Sequence, residues 1–140
     1  MTTDLSVKDK VGEVFVLSQA QFGPVQVLVV NHAISPKGDI PLADITLDQC
    51  TGTLQTNLTS SFLVFKEYLR GLREQRAAPV SKEKAGIVLI GSTAGKYGEA
   101  GNADYAASKC GTYDNADWIG KDTERLYFDV ISPVQRSCMD

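Results

Sequence analysis

The sequence predicts an α/β domain built on a parallel sheet, and three observations lead there. Two short, nearly continuous apolar runs, Val25 to Val30 (VQVLVV) and Ile87 to Ile90 (IVLI), have the composition of strands buried on both faces. Segments with helical spacing precede and separate them, and a further helix is expected to follow, giving the order α-β-α-β-α, which requires parallel strands joined by helical crossovers. A third run, Leu126 to Ser132 (LYFDVIS), is ended by Pro133 and supplies a last strand. At 140 residues and 15.1 kDa the chain is one domain or part of one. A chain of this size can bury roughly 70% of its unfolded surface.

In chain order, Val7 to Phe22 reads as the first helix. Val11, Val14, Phe15, Ser18 and Phe22 recur at helical spacing, and Gly23-Pro24 stops it. After the VQVLVV strand, Ala33 to Ala43 is a loop punctuated by Pro36, Gly38 and Pro41. Thr46 then offers a helix cap, with Gln49 placed to complete a capping box. That helix is expected to run to about Glu74, with a break expected near Thr56, and to bury Leu58, Phe62, Phe65 and Leu69. Ala77 to Ala85 is a polar connection, and Gly91 to Asp104 reads as a glycine-rich loop before a helix that starts near Tyr105. Cys110 to Thr123 (CGTYDNADWIGKDT) fits this scheme poorly. Its position asks for a crossover helix, yet its glycines, aspartates, asparagine and threonines are weak helix formers and its apolar residues form no stripe.

Composition narrows the function classes. Hydrophobic residues make up 43% and charged residues 22%, an ordinary globular balance that excludes wholesale disorder. A net charge of −3 argues against nucleic-acid binding through a broad basic surface. No apolar run approaches the roughly 20 residues needed to span a bilayer, and the start lacks a signal-peptide pattern, so a cytoplasmic location is expected. Cys50, Cys110 and Cys138 are odd in number and irregularly spaced, and with one histidine they suggest reduced thiols and no metal site. Asn57-Leu58-Thr59 matches a glycosylation acceptor but carries no weight without a secretory signal.

The chemistry-bearing residues cluster after the IVLI strand. Ser92 stands just past its carboxyl end, where open α/β sheets place ligands. Tyr105 follows thirteen residues later, and Lys109 lies four beyond, on the same helix face. A tyrosine beside an ammonium makes an acid/base device, because the positive charge favours phenolate. Ser92 can donate a hydrogen bond to a carbonyl oxygen on which negative charge builds. Tyr-x-x-x-Lys alone arises by chance in roughly one chain of this length in four, and then means a surface tyrosine beside a solvated lysine. The serine upstream and the surrounding text, GSTAGKYGEAGNADYAASK, reduce coincidence greatly.

With these residues the chain resembles the short-chain dehydrogenase/reductase family. The match comprises a strand, a Ser-x-x-Gly turn (Ser92, Gly95) and Tyr-x-x-x-Lys (Tyr105, Lys109). VLVV followed by Asn31-His32-Ala33 is similar to the strand and Asn-Asn-Ala-Gly turn lying against the cofactor. Asn57 matches an asparagine that holds a proton-relay water, and Asp4 an aspartate that contacts adenine. The resemblance covers about residues 4 to 109. It implies oxidoreduction between an alcohol and a carbonyl with NAD or NADP. Tyr105 would exchange the substrate proton, Lys109 would support Tyr105 and bind the nicotinamide ribose, Ser92 would orient the carbonyl, and Asn57 would position the water. Cofactor contacts would come from Asp4, Asn31, Tyr105 and Lys109.

The same resemblance implies a partial Rossmann-like, doubly wound sheet lacking the first βαβαβ half. The family's Thr-Gly-x-x-x-Gly-x-Gly phosphate turn is not found, and the sequence starts where a third strand would be ending. Ile34 stands where the family has glycine, His32 replaces the second asparagine, and Val134 replaces a glycine near the end. His32 is expected to be a plain loop residue. The pattern divides the chain into 1–112, the recognisable part of the domain, and a divergent 113–140 segment. The companion expectation to catalysis is an inactive remnant, or a non-catalytic partner of a longer relative, with VQVLVV as an exposed strand edge that invites oligomerisation or aggregation. A serine hydrolase is disfavoured, since GSTAG does not match Gly-x-Ser-x-Gly.

Overall fold

The computed structural model describes residues 2–36, 38–75, 85–122 and 127–131. The Asp4 carboxylate accepts from the backbone N–H and hydroxyl of Ser6, at 2.9 and 2.6 Å, in a turn that leads into helix α1 (Lys8–Phe22). Gly23, at φ 81, closes α1 by donating its N–H to Gln19 O, a conformation that favours glycine. Strand β1 is Val27–Val30. Helix α2 (Leu47–Leu54), a π-helical turn (Gln55–Thr59) and helix α3 (Ser60–Gln75) follow as one rod. Then come β2 (Gly86–Ile90), α4 (Thr93–Tyr97), α5 (Ala103–Asp122) and β3 (Tyr127–Ile131).

The strands form a parallel sheet in the order β1-β2-β3. Val27 pairs with Gly86 and Val30 with Leu89, while Gly86 pairs with Tyr127 and Ile90 with Ile131. Both crossovers are helical, as the α/β reading requires. The core joins Val11 of α1 and Val64, Phe65 and Tyr68 of α3 to Val30, Ile87 and Leu89 of the strands. Burying each such large side chain is worth about 1.5–3 kcal/mol. Tyr68 also donates its hydroxyl to Gln26 O at 2.6 Å and Gly86 O at 3.2 Å, fastening the start of β1 to β2; burial raises its pKa.

Several expectations are corrected. The break near Thr56 is a π turn that keeps the rod continuous. Thr46 caps α2 by accepting from Gln49 N, but the Gln49 amide reaches Asp104 instead of closing a capping box. Phe62 is 51% exposed. Phe22, at 79%, also lies outside the core, and Val27 and Val29, at 57% and 59%, leave β1 open on one face. The 91–104 loop contains α4, and α5 begins at Ala103. Cys110 to Asp122, which looked unfit for helix, continues α5 without interruption across position 112. Over the first half of α5 the face turned to the α2–α3 rod is polar, with Asp104, Ser108 and Thr112 all buried. An apolar stripe is the wrong signal for such a helix. Thr123, the ends of the 126–132 strand, Pro133, Val134, Cys138 and most of the 77–85 connection lie outside the described residues.

Candidate active site

Ser92 ends the β2 segment as the N-cap of α4, its Oγ accepting from the Ala94 N–H at 3.2 Å. Gly95 is required by a close approach. A Cβ there would stand 2.7 Å from the Lys109 carbonyl carbon and 2.9 Å from the Cys110 nitrogen, so α4 lies directly on the backbone of α5. Gly91 serves likewise, since a Cβ there would meet Tyr113 Cζ at 2.6 Å. The Tyr113 hydroxyl donates to Ser92 O at 3.2 Å.

Tyr105, Lys109 and Tyr113 follow one another at four-residue intervals along α5. Lys109 is only 6% exposed, and burial lowers its pKa. Its ammonium donates to Ile90 O at 3.2 Å and stands 5.9 Å from the centroid of the half-buried Tyr105 ring. The pair therefore sits at the carboxyl end of β2. No hydrogen bond joins Ser92 to the Tyr105 hydroxyl among the described residues.

Asn57 lies at the centre of the π turn and is 2% exposed. Its Oδ1 accepts from Ile34 N at 2.8 Å, and its Nδ2 donates to Ile34 O at 2.9 Å and Ser108 Oγ at 3.0 Å. The loop after β1 is thus clamped to the helix beside Lys109. Its carbonyl accepts from Ser61 Oγ at 2.7 Å, and Ser60 Oγ donates to Thr56 O in the same way. The two serines cap backbone carbonyls next to the π turn. His32, expected as a plain loop residue, is half-buried with its Nε2 2.5 Å from Ser60 Oγ. Burial lowers its pKa, and the Lys109 charge lowers it further. Asp104 opposes burial with hydrogen bonds from Thr53 at 2.8 Å and Gln49 at 3.3 Å and from backbone N–H groups; the net effect is a lowered pKa.

Residues 1–126 match the family model described as short chain dehydrogenase. The chain belongs to the short-chain dehydrogenase family. The match runs past residue 109. A 3-oxoacyl-[acyl-carrier-protein] reductase MabA of Mycobacterium avium is 31% identical over 132 residues, covering 93% of this chain and 48% of that protein. A 3-oxoacyl-[acyl-carrier-protein] reductase FabG of Vibrio cholerae is 36% identical over 91 residues, covering 65% of this chain and 34% of its own. Among solved structures, a short chain dehydrogenase from Mycobacterium smegmatis superposes with a TM-score of 0.84 at 21% identity, covering 95% of this chain and 53% of that one. A Brucella melitensis structure titled short-chain dehydrogenase/reductase SDR:Glucose/ribitol dehydrogenase gives 0.79 at 24% identity, covering 95% and 52%. These structural likenesses establish the Rossmann-type fold. The chain spans about half the length of the first of these curated relatives and of both solved structures.

Of the short-chain dehydrogenase positions named from sequence, the structure gathers Ser92, Lys109, Tyr105 and Asn57 around the ends of β1 and β2. Asn31 lies exposed at the carboxyl end of β1, and Asp4 lies exposed in the turn before α1 with its carboxylate engaged by Ser6, which lowers its pKa. Ser60, Ser61, Ser108 and Tyr113 were not singled out from sequence. Tyr113 carried a usable signal, four residues beyond Lys109 on the same face. The donor set suits a nicotinamide ribose: Lys109 is a buried ammonium with one acceptor, Ile90 O, among the described residues, leaving two N–H groups to donate. Among the described residues no group of His, Cys, Asp and Glu could hold a metal ion, and no helix is long and apolar enough to cross a membrane.

Proposed function

We propose that this site interconverts an alcohol and a carbonyl with NAD or NADP, and the observation that carries the reading is the buried Lys109 ammonium beside the Tyr105 ring. Tyr105 gives a proton to the carbonyl oxygen in reduction and takes it back in oxidation. Lys109 places a fixed positive charge where negative charge arises on the Tyr105 oxygen, and its free N–H groups bind the ribose hydroxyls. Ser92, held at the helix cap, directs its hydroxyl to the substrate oxygen. Asn57 keeps the β1 loop in place and positions the water behind Lys109, while Asn31 and Asp4 contact the rest of the cofactor. The bound nicotinamide supplies or accepts the hydride. The names of the relatives make 3-oxoacyl-[acyl-carrier-protein] the first substrate class to try, and a cytoplasmic location belongs to the same reading.

Calorimetric titration of NADPH and NADH into the purified chain tests this, with Lys109→Ala and Tyr105→Phe beside it. Binding that Lys109→Ala weakens about tenfold or more supports the site. No binding of either cofactor at millimolar concentration removes the catalytic reading. A second reading, a non-catalytic partner of a longer relative, is favoured by the exposed valines of β1. It requires a soluble chain that joins such a relative and binds no cofactor alone.

A further inference from the structure

Strand β1 stands at an edge of the sheet among the described residues, and its unpaired side can be read from the backbone. Gln26 O accepts from Gly86 N at 3.0 Å, so it turns toward β2. Backbone direction alternates along a strand, which turns Leu28 and Val30 toward β2 as well. Val27 and Val29 therefore direct both N–H and C=O outward, where no strand meets them among the described residues. Their side chains also stand apart from the core. Leu28 and its partner Ile87 pack into it, so Val27 and Val29, one residue out of step, occupy the opposite face and are exposed.

The surroundings of this edge are free of charge. Residues 14–36 span the second half of α1 and all of β1 and contain no Asp, Glu, Lys or Arg. The chain's charged share of 22% would place about five there. Val16, Leu17, Phe22, Val27 and Val29 are exposed within that run. Charge depletion combined with exposed apolar side chains is the composition of an interface core. The edge also matches itself. An antiparallel copy centred on Leu28 sets Val27 of each chain opposite Val29 of the other, so their outward N–H and C=O groups exchange hydrogen bonds, and Leu28 faces Leu28. A centre at Val29 would set Val27 against the polar Asn31, and a centre between residues would aim outward groups at inward ones. We propose that β1 is the interface with a second copy of this chain, paired antiparallel about a two-fold axis at Leu28. The strand order becomes β3-β2-β1-β1-β2-β3. Such a contact is isologous and closes at two copies. The valines of the two chains lie side by side across it, and no like charges meet. A contact this short makes a weak dimer that forms with rising concentration. It is independent of the oxidoreductase reading.

Sedimentation velocity of the full chain from about 5 to 200 µM should show monomer giving way to dimer and to nothing larger. Amide exchange at Val27 and Val29 should slow over the same range. Two exposed positions then read the register. Val27→Lys and Val29→Glu should each weaken the dimer about tenfold or more, and an equal mixture of the two should recover it, because the new charges stand opposite each other across the axis. Val27→Cys mixed with Val29→Cys should likewise form a 27–29 disulfide on mild oxidation, identified by peptide mass. Val27→Cys alone should give about a tenth as much from position 27, since its own copy lies two residues along, beyond disulfide reach. A chain that stays monomeric throughout overturns the proposal, including one that is monomeric alone and joins a longer relative. Species larger than a dimer overturn it, as does a dimer in which the mixed variants neither recover pairing nor cross-link.

Discussion

Asn57 commits its whole side chain to three hydrogen bonds, two with the Ile34 backbone and one with Ser108. Replacing it with alanine leaves a half-buried N–H and C=O on the loop after β1 without their partner. Asn57→Ala should cost about 2–4 kcal/mol, read as a lower urea midpoint at unchanged slope. Asp104 gives a pH signature. Its folded pKa lies below the ordinary 3.8, so its stabilisation is complete above that value and is lost as pH falls through it and below. Asp104→Asn should flatten the acid limb of the stability curve, measured by thermal melts from pH 5 to pH 2.5. His32 acts on a higher window: its folded pKa is lowered from 6.5, so the unfolded chain takes up the proton first and stability declines as pH falls below that value. At this scale Ser92, Tyr105 and Lys109 were legible because their spacing on a strand end and a helix is local. The partners of Asn57 and His32 lie 23 and 28 residues away in sequence, beyond any spacing rule.

Helices α4 and α5 meet backbone to backbone at Gly95, and this contact positions Ser92 and Lys109 together. Gly95→Ala should cost about 1–3 kcal/mol and weaken cofactor binding, because the obstacle is main chain that cannot swing aside. Gly111 provides the comparison. Its Cβ would first meet the Leu58 methyl groups at 3.2 Å, so Gly111→Ala should cost less, within about 1 kcal/mol either way, as better helix propensity offsets the crowding. Paired chemical melts of the two variants decide the order. The helix content of 110–122 was hidden from sequence because its propensities are poor and its buried neighbours are polar. Thr53 and Asn57 on one side face Asp104 and Ser108 on the other, and hydrogen bonding replaces the apolar stripe there. The π turn is equally non-local in origin, since nothing in QTNLT departs from ordinary helical text.

At the scale of the whole molecule, β1 stands at an edge of the sheet among the described residues. Val27 and Val29 project from it into solvent, and its four residues contain no charge, proline or bulge to discourage pairing. Val29→Lys should lower self-association of the chain, visible as a shift toward monomer in sedimentation velocity at tens of micromolar. Unchanged association would locate the contact elsewhere, such as around Phe62 on α3.

The sequence by itself determined the α/β order, the parallel strands, the serine-tyrosine-lysine spacing and the family, because each is written in local periodicity or a short motif. Only the tertiary structure decided that Asn57 is a clamp, that His32 meets Ser60, that a polar helix face is a buried one, and that the β1 valines are bare. Those outcomes depend on which distant groups come within hydrogen-bonding distance and which apolar surfaces find a partner, and neither has a sequence period.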